Sequence, residues 1–206
     1  MFMQCGDVAY EVKYQKEKRH KLITIKTNFE TYEDNFTSIL NELVEDFERN
    51  NLIICEIEKM RDKKILILSE RIEHLNILYG LLQGKKIDSI LVHGGLTQKS
   101  QKIALKESEK ADIILSTSSY MGEGIDLPHL DTIVFTMPIS FLGRVIQYLG
   151  RVGRDGQRCL AVDFIDENIP MLKSSFNKRL KGYKQMGYSK MEIKEETNLF
   201  NLKTFT

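Results

Sequence analysis

Ile65-Leu-Ile-Leu68 is a run of four apolar residues, followed at once by Ser69 and the charged pair Glu70-Arg71. So short a continuous apolar run fits a strand buried on both faces, as in a parallel sheet covered by helices. The pattern recurs downstream at Ser89–Val92, Ile113-Ile-Leu-Ser-Thr117, Thr132–Thr136 and Cys159–Ile165. Between these runs the spacing turns helical. Leu75, Ile77, Leu78, Leu81 and Leu82 make one helix, and Thr97–Ser108 a polar one that Thr97 can cap. The segments Phe141–Val152 and about Glu167 to Met186 make two more. Strands alternating with helices predict a doubly wound α/β domain.

Working outward, the first 60 residues read differently. Val8–Tyr14 and Leu22–Thr27 are expected strands around the charged turn Lys16–Lys21, and Asn28–Asn35 is a polar connector. Ile39, Leu40, Leu43, Val44 and Phe47 recur at helical spacing, predicting one helix to about Glu48 and a second near Leu52–Lys59. The expected organisation is a lead-in over residues 1–60 that packs on the core, a sheet domain over 61–187, and a tail over 188–206.

The 206 residues are enough for a sizeable core. A net charge of +1 gives no global basicity, so any nucleic-acid site must be a local patch. Cys5, Cys55 and Cys159 lie far apart with no paired metal spacing, and no secretory signal is visible at the start, so a reduced, cytoplasmic setting is expected. No apolar run approaches membrane-spanning length.

In open parallel sheets, ligands gather at the carboxyl ends of the strands. Four expected strand ends carry small, hydroxyl or charged residues: Ser69-Glu-Arg-Ile-Glu-His74, His93-Gly-Gly95, Thr117-Ser-Ser-Tyr-Met-Gly-Glu-Gly-Ile-Asp126, and Met137-Pro138. Each has a plain structural alternative, as a turn glycine, a capping hydroxyl or a pre-strand turn. His74 is expected to cap or pack its helix. Beyond the last of these ends, Arg144, Gln147, Arg151 and Arg154 fall at i, i+3, i+7 and i+10, a polar stripe on an otherwise apolar helix. Guanidiniums so placed suit a dense anion such as a phosphate chain.

These residues carry a resemblance. Ser69–His74, Thr117 with Gly122-Glu-Gly-Ile-Asp126, and Gln147-Tyr-Leu-Gly-Arg-Val-Gly-Arg154 resemble motifs IV, V and VI of superfamily 2 DEAD/DEAH-type helicases. Their order and intervals are similar to those of the second, C-terminal RecA-like domain. The phrase Thr136–Arg151 is closer to the branch of DNA-repair and restriction-system translocases. With Met3–Gly6 and Arg49–Ile53, the likeness covers about residues 1–187.

The resemblance implies the C-terminal half of an ATP-dependent helicase or translocase. ATP and Mg²⁺ would be held mainly by an N-terminal RecA-like domain in cis or in trans. Arg154 would contact the γ-phosphate, Arg151 would assist, and Gln147 would lie near the attacking water. Gly124 and Asp126 would meet the nucleotide near its ribose. Ser69, Arg71, Gly94 and Thr117 would hold the backbone of a single- or double-stranded nucleic acid, with DNA the expected partner. No metal ligand is expected in this chain, and Arg151 and Arg154 are expected to stand exposed at a sheet edge.

Three features depart from the family. Tyr148 stands where many relatives have arginine, and Gln101 where an arginine often follows a glutamine, here Gln98. The 206 residues also contain no Gly-x-x-x-x-Gly-Lys-Ser/Thr. Gly80-Leu-Leu-Gln-Gly84-Lys85-Lys86 has the wrong spacing, and Asp166-Glu167-Asn168 lies after motif VI, too late for a metal-binding acidic motif. One alternative is a free-standing, non-catalytic module that binds nucleic acid or a protein partner. Another is an unrelated doubly wound enzyme with a phosphate site near Arg151, which leaves motifs V and VI together unexplained.

Overall fold

The computed structural model describes residues 20–122, 128–152 and 158–191. Seven strands form one all-parallel sheet: β1 (His20–Lys26), β2 (Ile65–Ser69), β3 (Ile90–Val92), β4 (Ile113–Thr117), β5 (Thr132–Phe135), β6 (Leu160–Ile165) and β7 (Tyr188–Met191). Their order is β3-β4-β2-β5-β6-β1-β7. The helices are α1 (Phe36–Glu45), α2 (Phe47–Glu58), α3 (Ile72–Gly84), α4 (Gln98–Ser108), α5 (Ser118–Gly122), α6 (Leu142–Leu149) and α7 (Pro170–Gln185).

Alternation along β2 explains the layering. Leu66 and Leu68 point to one face, where they join Met121, Val145, Tyr148, Leu149 and Tyr183 from α5, α6 and α7. Ile65 and Ile67 point to the other, against Ile53, Ile54 and Ile57 of α2 and Leu75, Leu78 and Leu82 of α3. Residues in the middle of a two-sided sheet have no polar face, which is why these strands read as unbroken apolar runs. A third cluster joins Phe29, Met137 and Ile169, which follow β1, β5 and β6, with Ile39, Leu43 and Val44 of α1. It lies past the carboxyl ends of those strands, on the β1 side of the sheet. Ser69 and Thr117, at the ends of β2 and β4, lie outside it.

The expected division at residue 60 differs from this arrangement. β1 is an interior strand, hydrogen-bonded to β6 on one side and β7 on the other, with Leu22 opposite Ala161 and Lys190. Residues 20–60 are therefore part of the sheet domain. The expected tail also begins with a sheet strand, since Gly187, at φ 79°, turns the chain from α7 into β7. The expected strand Val8–Tyr14 and residues 192–206 lie outside the described residues.

The predicted helix through Phe47 is two helices. Asp46 is extended (ψ 110°) and its carboxylate accepts a 2.6 Å hydrogen bond from Arg49 N, so it ends α1 and caps α2 within one residue. Phe47 then starts a new helix with its ring in solvent, 73% exposed, instead of extending the apolar stripe of α1.

Two buried ion pairs fasten β6. Asp163 accepts from Arg179 Nε (2.7 Å), Arg179 Nη2 (2.8 Å) and the Tyr183 hydroxyl (2.7 Å), all from α7. Asp166, just past the strand, accepts from Arg49 Nε (2.7 Å) and Nη2 (3.2 Å) of α2 and from Thr27 Oγ1 (2.6 Å). Gly182 lets α7 lie close on α6, since a Cβ there would meet Leu142 Cδ1 at 3.0 Å and Val145 Cγ1 at 3.2 Å. Removing one partner of a buried pair leaves an uncompensated charge. Arg179→Met should lower stability to urea by about 3–5 kcal/mol. Adding Asp163→Asn, which keeps an acceptor for Tyr183, should recover part of that loss. A loss below about 1 kcal/mol in the single variant would contradict this account of β6.

Candidate functional site

Because the sheet is all-parallel and β3, β4, β2 and β5 are neighbours, the four strand ends singled out by sequence lie side by side on one edge. The register aligns Val92 with Ser116, Ser69 with Thr117, and Leu68 with Phe135. This edge carries Ser69 and Arg71, the His93–Gly95 turn, Thr117 and the start of α5.

Two of the expected contact residues turn their hydroxyls inward. Ser69 is fully buried; its Oγ accepts from Arg71 N at 3.1 Å and lies 3.2 Å from His74 Nδ1. Thr117, also buried, accepts from Tyr120 N and from Ser119 Oγ, each at 3.4 Å, which ties it to the first turn of α5. In this arrangement both hydroxyls shape the chain beside them. Arg71, at the N-cap position of α3, is half-buried and borders a shallow depression with Asn41, Val44, Glu45 and Glu73.

Behind Arg71 runs a buried polar relay that the sequence did not reveal. Asn50 Nδ2 donates to Val44 O at 2.9 Å, so its Oδ1 faces His74 Nε2, also at 2.9 Å. That orientation makes Nε2 the protonated nitrogen of His74 and leaves Nδ1 an acceptor facing the Ser69 hydroxyl, whose proton also has Arg71 O within 3.2 Å. The relay thus links the end of α1 to the turn that presents Arg71. Burial, reinforced by the nearby Arg49 cation, lowers the His74 pKa to about 3, so the ring is neutral. A histidine at this spacing looks like an ordinary core residue, and only its neighbours show the relay.

At the next strand end, Gly94 and Gly95 are exposed. A Cβ on Gly95 would sit 3.0 Å from Ile72 Cδ1 and 3.1 Å from His93 Nδ1, and its N–H donates to that nitrogen at 3.2 Å. A side chain at Gly95 would therefore crowd Ile72 and His93, and the bond needs a neutral His93, whose pKa burial also lowers. Gln101, in place of the usual family arginine, donates to Gly94 O (3.1 Å) and Leu96 O (2.8 Å). It braces the turn from beneath.

The arginine stripe does not gather at one edge. Arg144, in the first turn of α6, meets Glu70 beyond β2 at 3.4 Å, at the carboxyl ends of the strands. At the other end of the segment, Val152 O accepts from Cys159 Sγ at 3.2 Å, beside the start of β6. The stripe runs down the outer side of α6 between those levels. Gln147 and Arg144 are exposed and Arg151 is half-buried. Val145, Tyr148 and Leu149 are buried on the inner side. Tyr148 bonds to Ser118, the first residue of α5, and burial raises its pKa against that bond. Tyr148 thus ties α6 to the end of β4 with a neutral group. Arg154, Gly124 and Asp126 lie outside the described residues.

Asp166 is engaged by Arg49 and Thr27, and Glu167 pairs with Lys26 at 2.7 Å. Among the described residues no three His, Cys, Asp or Glu side chains converge as a metal site. No described helix is long and apolar enough to cross a membrane.

The comparisons with known proteins agree with this fold. The profile of the helicase conserved C-terminal domain matches residues 48–156, just over half of the chain. The chain belongs to that family of helicase C-terminal domains. The match begins within α2, consistent with the sheet domain starting before residue 61. Among curated relatives, the pre-mRNA-processing ATP-dependent RNA helicase PRP5 of Candida albicans is 30% identical over 119 residues, 56% of this chain and 13% of that protein. The transcript termination protein A18 of Yaba monkey tumor virus is 29% identical over 142 residues, 66% of this chain and 29% of that protein. The chain thus spans less than a third of the length of either. Among solved structures, the C-terminal domain of the DEAD-box protein Dbp5 superposes with a TM-score of 0.64 at 18% identity, covering 85% of this chain and 91% of that one. T4 UvsW gives 0.63 at 17% identity, covering 84% and 41%. At these identities the superpositions show the RecA-like fold.

The His74 relay makes stability depend on pH. The folded state keeps the ring neutral down to about 3, whereas an unfolded histidine takes a proton below about 6.5. Its contribution is therefore complete above about 6.5 and declines steadily as the pH falls toward 3. Between pH 7 and 5 this group alone should cost about 2 kcal/mol. His74→Gln should be less stable at pH 7 but lose about 2 kcal/mol less over that interval, as read from urea midpoints. Parallel pH profiles for the two proteins would contradict the neutral relay.

Proposed function

We propose that this chain is the C-terminal motor half of an ATP-dependent nucleic-acid helicase or translocase, completed by an N-terminal RecA-like domain in cis or in trans. One observation carries the reading: a family-matched sheet places four strand ends with small, hydroxyl or charged residues side by side, next to a helix whose exposed residues include Arg144 and Gln147 and which leads into Arg151.

In this reading Arg151 and Arg154 are arginine fingers, and Gln147 lies beside the phosphate under attack. ATP bound to the other domain would supply the transferable phosphoryl group, and Mg²⁺ would be held there too, since Asp166 and Glu167 already have cationic partners here. Gly124 and Asp126 would border the nucleotide. Arg71 and the backbone of the Gly94–Gly95 turn would hold a nucleic-acid strand through its phosphates, which positions it without reading its sequence. Ser69 and Thr117 would act by shaping the turns that present those groups. The Tyr148–Ser118 bond would couple the strand edge to the arginine helix.

The branch and the strand are finer matters. The motif VI phrase favours DNA-repair and restriction-system translocases, whereas PRP5 is named an RNA helicase, which weighs toward RNA. The physical argument requires only a phosphate backbone.

The chain alone should release no phosphate above background from ATP with Mg²⁺ and single-stranded RNA or DNA. Joined to an N-terminal RecA-like domain of a relative, it should become a nucleic-acid-stimulated ATPase. Arg154→Ala should then reduce turnover on the order of 10³–10⁵-fold. Turnover by the isolated chain that disappears on Arg154→Ala would overturn the proposal.

A further inference from the structure

The net charge of +1 conceals a strong separation of charge. From residue 28 to 58, across α1 and α2, there are nine acidic residues and one basic one, Arg49, which is buried against Asp166. From Met137 to Arg154 there is no acid at all. α7 likewise has none in its 16 residues, against four lysines and Arg179. Since α2 and α7 pack on opposite faces of the sheet, the acids of α2 and the lysines of α7 face opposite ways.

The lysines of α7 form one surface. Arg179 turns inward to Asp163, and Leu172, Ser175, Phe176, Gly182 and Tyr183 are buried with it. Lys173, Lys178, Lys181 and Lys184 are exposed. At about 100° per residue they fall within an arc of about 140° and extend about 16 Å along the axis. Gly182 seats α7 against Leu142 and Val145 of α6, which carries the exposed Arg144. Glu167 serves Lys26 and lies by Lys173 and Lys190 at the start of the helix, and among the described residues no ion pair engages Lys178, Lys181 or Lys184.

We propose that this lysine face of α7 is a second, sequence-independent nucleic-acid contact surface, separate from the strand-end edge. Flexible lysines along 16 Å suit phosphates at about 3.4 Å axial spacing per strand. The surface offers few exposed apolar groups for a folded protein partner. The inference rests on the chain acting on nucleic acid, as proposed above.

The test is fluorescence anisotropy of the 206-residue chain with a fluorescein-labelled 20-nucleotide oligo(U) or oligo(dT), between 50 and 200 mM KCl. The exposed positions allow K178Q/K181Q/K184Q to fold normally, checked by its thermal midpoint. It should weaken binding about tenfold or more at 50 mM salt and lower the slope of log affinity against log salt by about 2, at about 0.7 per lost contact. Arg71→Gln, on the strand-end edge, separates the two ideas. If Arg71→Gln weakens binding and the triple variant matches the wild type in affinity and slope, the α7 surface is wrong while the strand-end reading stands. If only the triple variant weakens binding, the α7 surface stands and the strand-end edge fails. Absence of binding by the wild type at 50 mM salt would overturn both.

Discussion

The geometry of the candidate site depends on β6 and its two carboxylates. Asp163 holds Arg179 from one face of the sheet, and Asp166 holds Arg49 from the other side of the chain. Desolvated ion pairs of this kind add little net stability over a well-packed apolar alternative, but they are expensive to break from one side. They fix position more than they add free energy. Arg179 fixes α7, α7 fixes α6 through the Gly182 contact, and α6 carries Arg144 and Gln147 and leads into Arg151. Arg49 fixes α2, and the next residue, Asn50, begins the relay through His74 to the turn before Arg71. Both halves of the proposed machinery are referred to the same strand.

The fold class was legible because a sheet covered on both faces leaves no polar side to its inner strands. Ile65–Leu68 and Ile113–Leu115 advertise that environment residue by residue. The side-by-side strand ends followed from parallel topology. Partner choice was not legible. β1 joins β6 through pairs about 140 residues apart, such as Leu22 with Ala161, and two helices separate it in sequence from β2. Nothing local distinguishes a sheet strand in that position from a lead-in.

Side-chain direction at the site was the other gap. A hydroxyl after a strand reads the same whether it meets a ligand or, like Ser69 and Thr117, its own backbone. Arg49 and Arg179 look like surface charges until their carboxylates are found, Asp166 at 117 residues from Arg49 and Asp163 at 16 residues from Arg179. The family departures became intelligible only in three dimensions. Gln101 braces a glycine turn, and Tyr148 links two helices from a buried position where a cation would need a counter-charge.

The relay through Asn50, His74 and Ser69 has a consequence for sequence change. Each member has a fixed sense: the Asn50 amide donates to Val44 O, His74 donates from Nε2, and Ser69 faces Nδ1. Reversing or deleting one member leaves a neighbour with a buried donor facing a donor, or an acceptor facing an acceptor. Substitution at these three positions is therefore not independent. In related chains they should change as a set, and a tolerated single replacement would have to preserve the donor and acceptor order of the original.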